Sequence, residues 1–291
     1  MTNKPPYPSL TPTWRNDIYP AIDYSNPCLN QAGNTIIITG AGSGIGRETA
    51  LGFATAGAAH LVLIGRTEAS LKEVKTAITA IYTNTKVSVH PADVTDDFVI
   101  KEIASAVGTW DAILHCAAHF NAPSPAATAD IDDYWRAYEV NLKSLLILAK
   151  HFLPTANPTH SAFLAYTGGA IVMPTQMLVG MSGYLVSKMA LAKTVEFLAL
   201  ENPHVVFIAY HPGMVDTKIF RKSGAEPEGL PMDTARLSAG CAIWATLPEA
   251  RFLSGKVVWA NWDVEEMKGM KDGIADKLTF VLQGWPFGNV G

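Results

Sequence analysis

Short apolar runs alternate with amphipathic stretches along most of the chain. From residue 34 onward, runs rich in Val, Ile and Leu are separated by longer segments in which apolar residues recur at helical spacing. Runs this short and apolar are typical of strands buried on both faces of a parallel sheet. The pattern predicts strands at 35–39, 61–64, 86–90, 112–115, 162–166, 205–210 and 256–259. It predicts helices at 46–56, 68–82, 96–107, 132–152, 182–201 and 234–246.

Alternation of strands and helices favours right-handed strand–helix–strand units. We therefore expect an α/β fold: a doubly wound parallel sheet of Rossmann type, with about seven strands and helices on both faces. Residues 1–33 are rich in Pro, Asn and Ser, which predicts an irregular N-terminal extension. Residues 34–291 are expected to form a single dinucleotide-binding and catalytic domain, with a substrate loop at about 217–232.

Composition limits the partners of such a domain. Charged residues make up 16% of the 291 residues, against roughly 25% in a typical soluble domain. Because a low charge fraction leaves more surface for subunit contacts, we expect an oligomer. A net charge of −4 without a basic cluster argues against nucleic acid as a partner.

Cysteine spacing and hydropathy indicate the compartment. Cys28, Cys116 and Cys241 are far apart and form no C-x-x-C pair, so the sequence predicts neither a disulfide framework nor a metal site. The first nine residues contain prolines and no apolar segment, which is unlike a signal peptide. No apolar stretch approaches the roughly 18 residues of a membrane helix, so we expect a cytoplasmic protein that does not bind membranes.

A glycine-rich loop follows the first predicted strand and opens the first predicted helix. Glycines let the backbone approach a pyrophosphate closely, and the helix N-terminus offers unpaired N–H groups. The spacing after Thr39 is G-x-x-x-G-x-G, and the alternative interpretation is a tight turn that binds nothing. The loop residues expected at a bound cofactor are Gly40, Gly42, Ser43, Gly44, Ile45 and Gly46.

The end of the second strand predicts which dinucleotide binds. An acidic residue there would hold the ribose hydroxyl of NAD. This chain instead has Gly65, Arg66 and Thr67, and a guanidinium suits a ribose phosphate. We therefore expect NADP(H), with NAD(H) less favoured. The alternative is a solvated arginine at a strand end.

Five motifs, taken in order over residues 35–259, resemble the classical short-chain dehydrogenase/reductase family. The motifs are Thr39-Gly40-x-x-x-Gly44-x-Gly46, Asp93-Val94, Asn141, Tyr184-x-x-x-Lys188 and Pro212-Gly213-x-Val215-x-Thr217. Each motif is weak alone, whereas five in family order are specific. The resemblance implies a nicotinamide-dependent oxidoreductase whose two long helices, here 132–152 and 182–201, pair across an oligomer interface.

The resemblance also implies the role of each residue. In the proton-transfer site, Tyr184 exchanges a proton with the substrate oxygen. Lys188 lowers the pKa of Tyr184 and holds the nicotinamide ribose, and Asn141 holds a water that links Lys188 to solvent. The remaining cofactor contacts that it implies are Asp93 and Val94 at the adenine, Ala117 at the cofactor wall, and Pro212, Gly213, Val215 and Thr217 beside the nicotinamide.

Two departures from the family pattern affect these assignments. The family's Asn-Asn-Ala-Gly is His115-Cys116-Ala117-Ala118 here, and we expect a structural effect from that change. The family's catalytic serine precedes the tyrosine by about 13 residues, where this chain has the inert Ile171. We therefore assign that role to Thr167 and assume a loop about four residues longer. A structural hydroxyl at Thr167, and a helix kink at Asn141, are the alternatives.

These inferences predict an NADP(H)-dependent oxidoreductase, either a ketoreductase or an alcohol dehydrogenase. Its substrate is expected to be a bulky apolar organic molecule, because Met173, Met177, Leu178 and Met181 precede Tyr184 in the long loop. The segment 259–263 and the proline-rich first residues loosely resemble fungal members of the family that act on secondary metabolites. Two alternatives stay open. One is a non-redox dehydratase, isomerase or cyclase on the same fold. The other is a non-catalytic nucleotide-binding protein, against which an intact Tyr184–Lys188 pair argues.

Overall fold

A seven-stranded parallel sheet forms the centre of the protein. The computed structural model describes residues 5–274 and 277–280. The strands are β1 (Thr35–Thr39), β2 (His60–Gly65), β3 (Lys86–Pro91), β4 (Ala112–His115), β5 (Ser161–Tyr166), β6 (Val205–His211) and β7 (Lys256–Trp259). They lie in the order β3-β2-β1-β4-β5-β6-β7, and every neighbouring pair is parallel. The predicted α/β fold class is confirmed.

Helices flank this sheet. They are α1 (Gly44–Thr55), α2 (Glu68–Thr79), α3 (Asp97–Val107), α4 (Ile131–Tyr138), α5 (Ser144–Phe152), α6 (Ser182–Glu201), α7 (Lys218–Lys222), α8 (Ala235–Ala245), α9 (Val264–Gly269) and α10 (Lys271–Ile274). The segment 132–152, predicted as one helix, is instead interrupted by a π-helical turn at Glu139–Lys143 between α4 and α5. In the part of the chain that the structure describes, no helix is long and apolar enough to span a membrane.

Local sequence signals explain where several helices begin. Asp96 accepts a hydrogen bond from Val99 N at the start of α3, and Asp130 accepts one from Asp133 N at the start of α4. Such N-caps satisfy backbone donors that a helix leaves unpaired. The strands form because their apolar residues are buried on both sides, as in β5, where every residue is buried.

The centre of the sheet positions the candidate site. Strands β1 and β4 are neighbours although β2 and β3 intervene in sequence, so the chain leaves them toward opposite edges of the sheet. Ligands of doubly wound sheets bind at such a switch point, outside the carboxyl ends of the strands. Thr39 pairs with His115 in the ladder, which places the glycine loop beside the segment that follows β4.

The N-terminal segment packs against elements from the other end of the chain. Residues 5–33 contain only two short 3-10 turns, Pro20–Ile22 and Pro27–Leu29. Trp14 forms an antiparallel bridge with Trp262, and Arg15 forms an ion pair with Asp263 at 2.7 Å. These contacts bring Asn16 to the carboxylate of Asp233, at 2.7 Å, in the segment before α8. The division into an extension and a single catalytic domain stays a prediction.

Candidate active site

A cleft of about 640 Å³ opens where the carboxyl ends of the central strands meet. Most residues predicted to bind the cofactor or to act in catalysis line it. They are Gly40, Gly42, Ser43, Gly44, Ile45, Gly46, Arg66, Thr67, Asp93, Val94, Ala117, Thr167, Tyr184, Lys188, Pro212 and Thr217. Asn141, Gly213 and Val215 do not line the cleft.

The glycine loop turns tightly between β1 and α1. Gly40 has φ of +65°, and a Cβ on it would lie 3.0 Å from the backbone of Ala117. A Cβ on Gly46 would lie 2.4 Å from the carbonyl oxygen of Gly40, so the helix can begin this close to the strand only with glycine there. Ser43 and Gly44 are exposed to the cleft at the N-terminus of α1. Four of the seven residues from Gly40 to Gly46 are glycine, so the backbone and the N-terminus of α1 can come close to a ligand, which fits a dinucleotide pyrophosphate.

Two charged residues that line the cleft after β2 and β3, Arg66 and Asp93, differ in their partners. Asp93 accepts hydrogen bonds from Thr95 and forms an ion pair with Arg136 at 2.5 Å. Burial would raise the pKa of Asp93, but the bonds from Thr95 and Arg136 outweigh it and lower that pKa. Arg66 is exposed and lines the cleft, and no described residue forms a hydrogen bond or an ion pair with it. Its guanidinium is therefore free to meet a ligand.

Tyr184 and Lys188 share one face of α6 at the floor of the cleft. The Lys188 ammonium lies 5.9 Å from the centre of the Tyr184 ring and donates a hydrogen bond to the carbonyl oxygen of Tyr166 at 2.6 Å. Burial raises the pKa of Tyr184 to about 12 and lowers the pKa of Lys188 to about 7. The sequence predicted that Lys188 would lower the pKa of Tyr184. In the protein alone that lowering is not present, because burial disfavours both charged forms.

Asn141 lies in the π-helical turn, where it is buried and does not line the cleft. Its side chain accepts a hydrogen bond from His119 N and donates to His119 O, both at 2.9 Å. It also donates to the hydroxyl of Ser187, which neighbours Lys188, at 2.9 Å. From within the π-helical turn, Asn141 thus ties the segment after β4 to α6. Its assignment to a water beside Lys188 stays a prediction.

The end of β5 presents Thr167 and Gly168 to this region. The Thr167 hydroxyl donates to the carbonyl oxygen of Lys188 at 3.2 Å, and the side chain is 3% exposed. A Cβ on the next residue, Gly168, would instead lie 4.0 Å from the Tyr184 hydroxyl oxygen. Assignment of Thr167 to the serine's role stays a prediction, and the position that faces the Tyr184 hydroxyl is Gly168.

The carboxylate of Asp233, which does not line the cleft, holds the segment after β6 in place. Gly213 has φ of +89°, and a Cβ on it would lie 2.7 Å from a carboxylate oxygen of Asp233. That same oxygen accepts a hydrogen bond from Met214 N at 2.6 Å. Thr217 caps α7 by accepting from Phe220 N, and it also lines the cleft. Gly213 therefore shapes the loop, while Pro212 and Thr217 line the cleft.

Two features of the site carried no sequence signal. Phe120 packs against Tyr184, with ring centroids 4.4 Å apart and ring planes tilted by 31°, and it lies in an irregular segment after β4. Arg136 lies in α4, lines the cleft and forms an ion pair with Asp93.

His115, where the family has asparagine, is buried and bridges the hydroxyls of Thr39 at 2.8 Å and Ser144 at 2.9 Å. That bridge is the structural effect expected of this change.

The apolar side chains expected to bind substrate lie elsewhere. Met173, Met177, Leu178 and Met181 do not line the described cleft, and Met177 is 68% exposed. No group of three or more His, Cys, Asp or Glu that could hold a metal occurs among the residues placed in the structure. The side chains of Tyr184 and Lys188 bring a tyrosine hydroxyl and a lysine amine to the lining of the cleft.

Comparison with known proteins agrees with this geometry. The family model for short chain dehydrogenase matches residues 34–228. The chain belongs to the short-chain dehydrogenase/reductase family. Members are oxidoreductases that use a nicotinamide cofactor, and the resemblance stated from the motifs is confirmed.

Relatives of similar length occur in fungi. A short chain dehydrogenase/reductase from Claviceps purpurea (strain 20.1) is 32% identical over 284 residues, covering 95% of this chain and 94% of that protein. The short chain dehydrogenase mpl6 from Monascus purpureus is 30% identical over 302 residues, covering 94% of this chain and 98% of that protein. The similarity thus extends over nearly the full length of each chain.

Solved structures share the fold. The oxidoreductase yciK from Escherichia coli matches with a TM-score of 0.71 at 21% identity, covering 80% of this chain and 97% of that one. A short chain dehydrogenase from Escherichia coli CFT073, solved in complex with NADPH, matches with a TM-score of 0.70 at 21% identity, covering 80% and 98%. At these identities the matches establish the architecture alone.

Proposed function

We propose that this protein is an NADP(H)-dependent oxidoreductase that transfers a hydride between the nicotinamide and a carbonyl or alcohol carbon. The observation that carries the proposal is the placement of Tyr184 and Lys188 in one cleft with the glycine loop. A proton donor and a dinucleotide cradle in one cavity are the two requirements of carbonyl reduction.

In this mechanism Tyr184 gives its hydroxyl proton to the carbonyl oxygen of the substrate. A pKa raised to about 12 keeps that phenol protonated at neutral pH, which suits reduction. Lys188, with its pKa lowered to about 7, can hold or release a proton close to working pH. The bound nicotinamide would supply the hydride, held by the glycine loop, Lys188 and Thr217. Asn141 positions Ser187 and, through it, the turn of α6 that carries Lys188.

The preference for NADP(H) rests on Arg66. Its guanidinium is unpaired among the described residues and lies at the cleft, whereas Asp93 is already neutralised by Arg136. A ribose phosphate would therefore meet a cation and no competing anion. The NADPH complex of the structural neighbour from Escherichia coli CFT073 supports the same choice.

The proposed substrate is a bulky apolar carbonyl compound of fungal secondary metabolism. Fungal relatives matched over nearly the whole chain support this substrate class.

The proposed assembly is a homodimer or homotetramer. Large apolar side chains exposed on α4, α5 and α6 support this assembly. They are Ile131 at 69%, Trp135 at 60%, Leu146 at 48%, Phe197 at 57% and Leu200 at 81% exposed.

The test is NADPH consumption with a panel of apolar ketones by the parent enzyme and by Tyr184→Phe. The variant keeps the ring that packs on Phe120 and removes the proton, so turnover should fall by roughly 10²–10⁴-fold while NADPH still binds. Full activity of Tyr184→Phe would refute the mechanism. Product formation without NADPH consumption would indicate a dehydratase, isomerase or cyclase instead.

A further inference from the structure

Gly168 lies at the end of β5 beside the Tyr184 hydroxyl, and the protein itself does not require glycine there. Its φ of −126° and ψ of 136° are extended values that any residue adopts. Among the described residues, a Cβ on Gly168 would meet only Tyr184, at 3.8 Å from Cε1 and 4.0 Å from the hydroxyl oxygen. Both are ordinary van der Waals distances, so the folded protein has room for alanine.

At the next residue, Gly169, the packing requires glycine. A Cβ on Gly169 would lie 2.7 Å from Nε2 of His211 and 3.0 Å from the ring of Trp259. Gly169 and Thr167 are buried, whereas Gly168 between them keeps solvent access. The strand end therefore opens toward the reacting hydroxyl at Gly168.

The surroundings of Tyr184 restrict the path by which a substrate reaches it. Phe120 covers one face of the ring, and no described residue forms a hydrogen bond with the Tyr184 hydroxyl. The Thr167 hydroxyl is bound to the carbonyl oxygen of Lys188. The space beside Gly168 is thus open to a group brought in by the substrate.

We propose that Gly168 determines substrate specificity, because the space left by its missing side chain receives the larger apolar substituent of the substrate's carbonyl carbon. This inference rests on the proposed oxidoreductase function. The substrate class is ketones, or the matching secondary alcohols, whose carbonyl carbon belongs to or adjoins a ring. The Tyr184 ring, 3.8 Å from a Cβ on Gly168, and Phe120 packed against that ring are both aromatic, which favours an apolar occupant.

The experiment compares the parent enzyme with Gly168→Ala on two ketones, the fused-ring tetralone and the small butanone. One added methyl group in a tight apolar pocket changes discrimination by roughly 10-fold to 200-fold. The ratio of kcat/KM for tetralone to kcat/KM for butanone should fall by that factor. Gly269→Ala in α9 is the matched control, since a Cβ there meets no described atom within 4 Å, and its ratio should equal the parent's.

A second variant distinguishes the effect of filling the space at residue 168 from the effect of a missing hydroxyl group there. Gly168→Ser has nearly the volume of alanine and adds a donor beside Tyr184, so the proposal predicts the same loss of the tetralone preference. If serine raises kcat for both ketones and alanine leaves their ratio unchanged, the glycine is a lost catalytic hydroxyl and the proposal is overturned.

Calorimetry of tetralone binding to the NADP⁺-loaded enzyme provides a readout that does not depend on turnover. The proposal predicts binding to the parent that weakens roughly tenfold or more in Gly168→Ala. Such weakening in an enzyme that reduces neither ketone would refute the proposed oxidoreductase function and uphold the role of Gly168. Absence of tetralone binding to the parent, or a matching loss of NADP⁺ affinity in Gly168→Ala, would overturn the inference.

Discussion

Replacement of Arg66 by alanine tests the cofactor assignment. Arg66 is exposed at the tip of β2, lines the cleft and has no partner among the described residues, so the substitution removes no internal contact. The lost interaction with the ribose phosphate of NADPH is a charge-assisted hydrogen bond, worth about 1–3 kcal/mol. That corresponds to a rise of about 5-fold to 150-fold in the Kd for NADPH. Because salt screens an exposed site, the lower part of that range applies at physiological ionic strength.

The assay is fluorescence titration of NADPH and NADH at fixed ionic strength. Arg66→Ala should weaken NADPH binding and leave NADH binding nearly unchanged, since NADH lacks the phosphate. Arg47→Ala is the matched control, because Arg47 is an exposed arginine of α1 that does not line the cleft. Equal affinity of the parent for both cofactors, or equal losses in the two arginine variants, would refute the reasoning.

Three further predictions concern the wall of the site, the buried histidine and the assembly. Thr167→Val removes the hydroxyl that donates to the carbonyl oxygen of Lys188 and should cost about 1 kcal/mol of stability. If Thr167 has the serine's role, turnover should also fall by roughly 10–10³-fold, and a loss below about tenfold would contradict that assignment. His115 is buried with its pKa lowered to about 3, so below the unfolded-state value the unfolded chain binds a proton that the folded chain does not. His115 alone should therefore lower the free energy of unfolding by about 2 kcal/mol between pH 7.5 and pH 5, and urea unfolding of His115→Asn should lack that contribution. Light scattering at micromolar concentration should give a dimeric or tetrameric mass, and a monomeric mass would contradict the proposed assembly.

The strands were predictable from sequence because burial on both faces leaves a strong signal. The seven predicted strands match the observed ones to within a residue at each end, as for β2, predicted at 61–64 and observed at His60–Gly65. The π-helical turn was not predictable, since one extra residue in a helical turn barely changes the spacing of apolar positions. Helix α7 was missed as well, because five residues are too few to show a period.

The site was predictable where parallel strands end, since their carboxyl ends gather at one edge of the sheet. Contacts between distant segments, such as Phe120 on Tyr184, leave no pattern in sequence. The sequence also could not show which residue faces the Tyr184 hydroxyl. In extended backbone successive side chains point to opposite sides, so a shift of one residue in the alignment decides whether Thr167 or Gly168 faces the Tyr184 hydroxyl. The pKa of Tyr184 depends on how deeply its side chain is buried, and the sequence spacing between Tyr184 and Lys188 does not reveal that burial.

Transfer of isotope from cofactor to product tests the central claim most directly. The parent enzyme is incubated with an apolar ketone and NADPH that carries deuterium at both C4 positions, and the product is analysed by mass spectrometry. The proposed function predicts one deuterium on the former carbonyl carbon, formed by the parent and almost absent with Tyr184→Phe. A product that forms without deuterium would contradict hydride transfer and would place this chain among the non-redox catalysts of its fold.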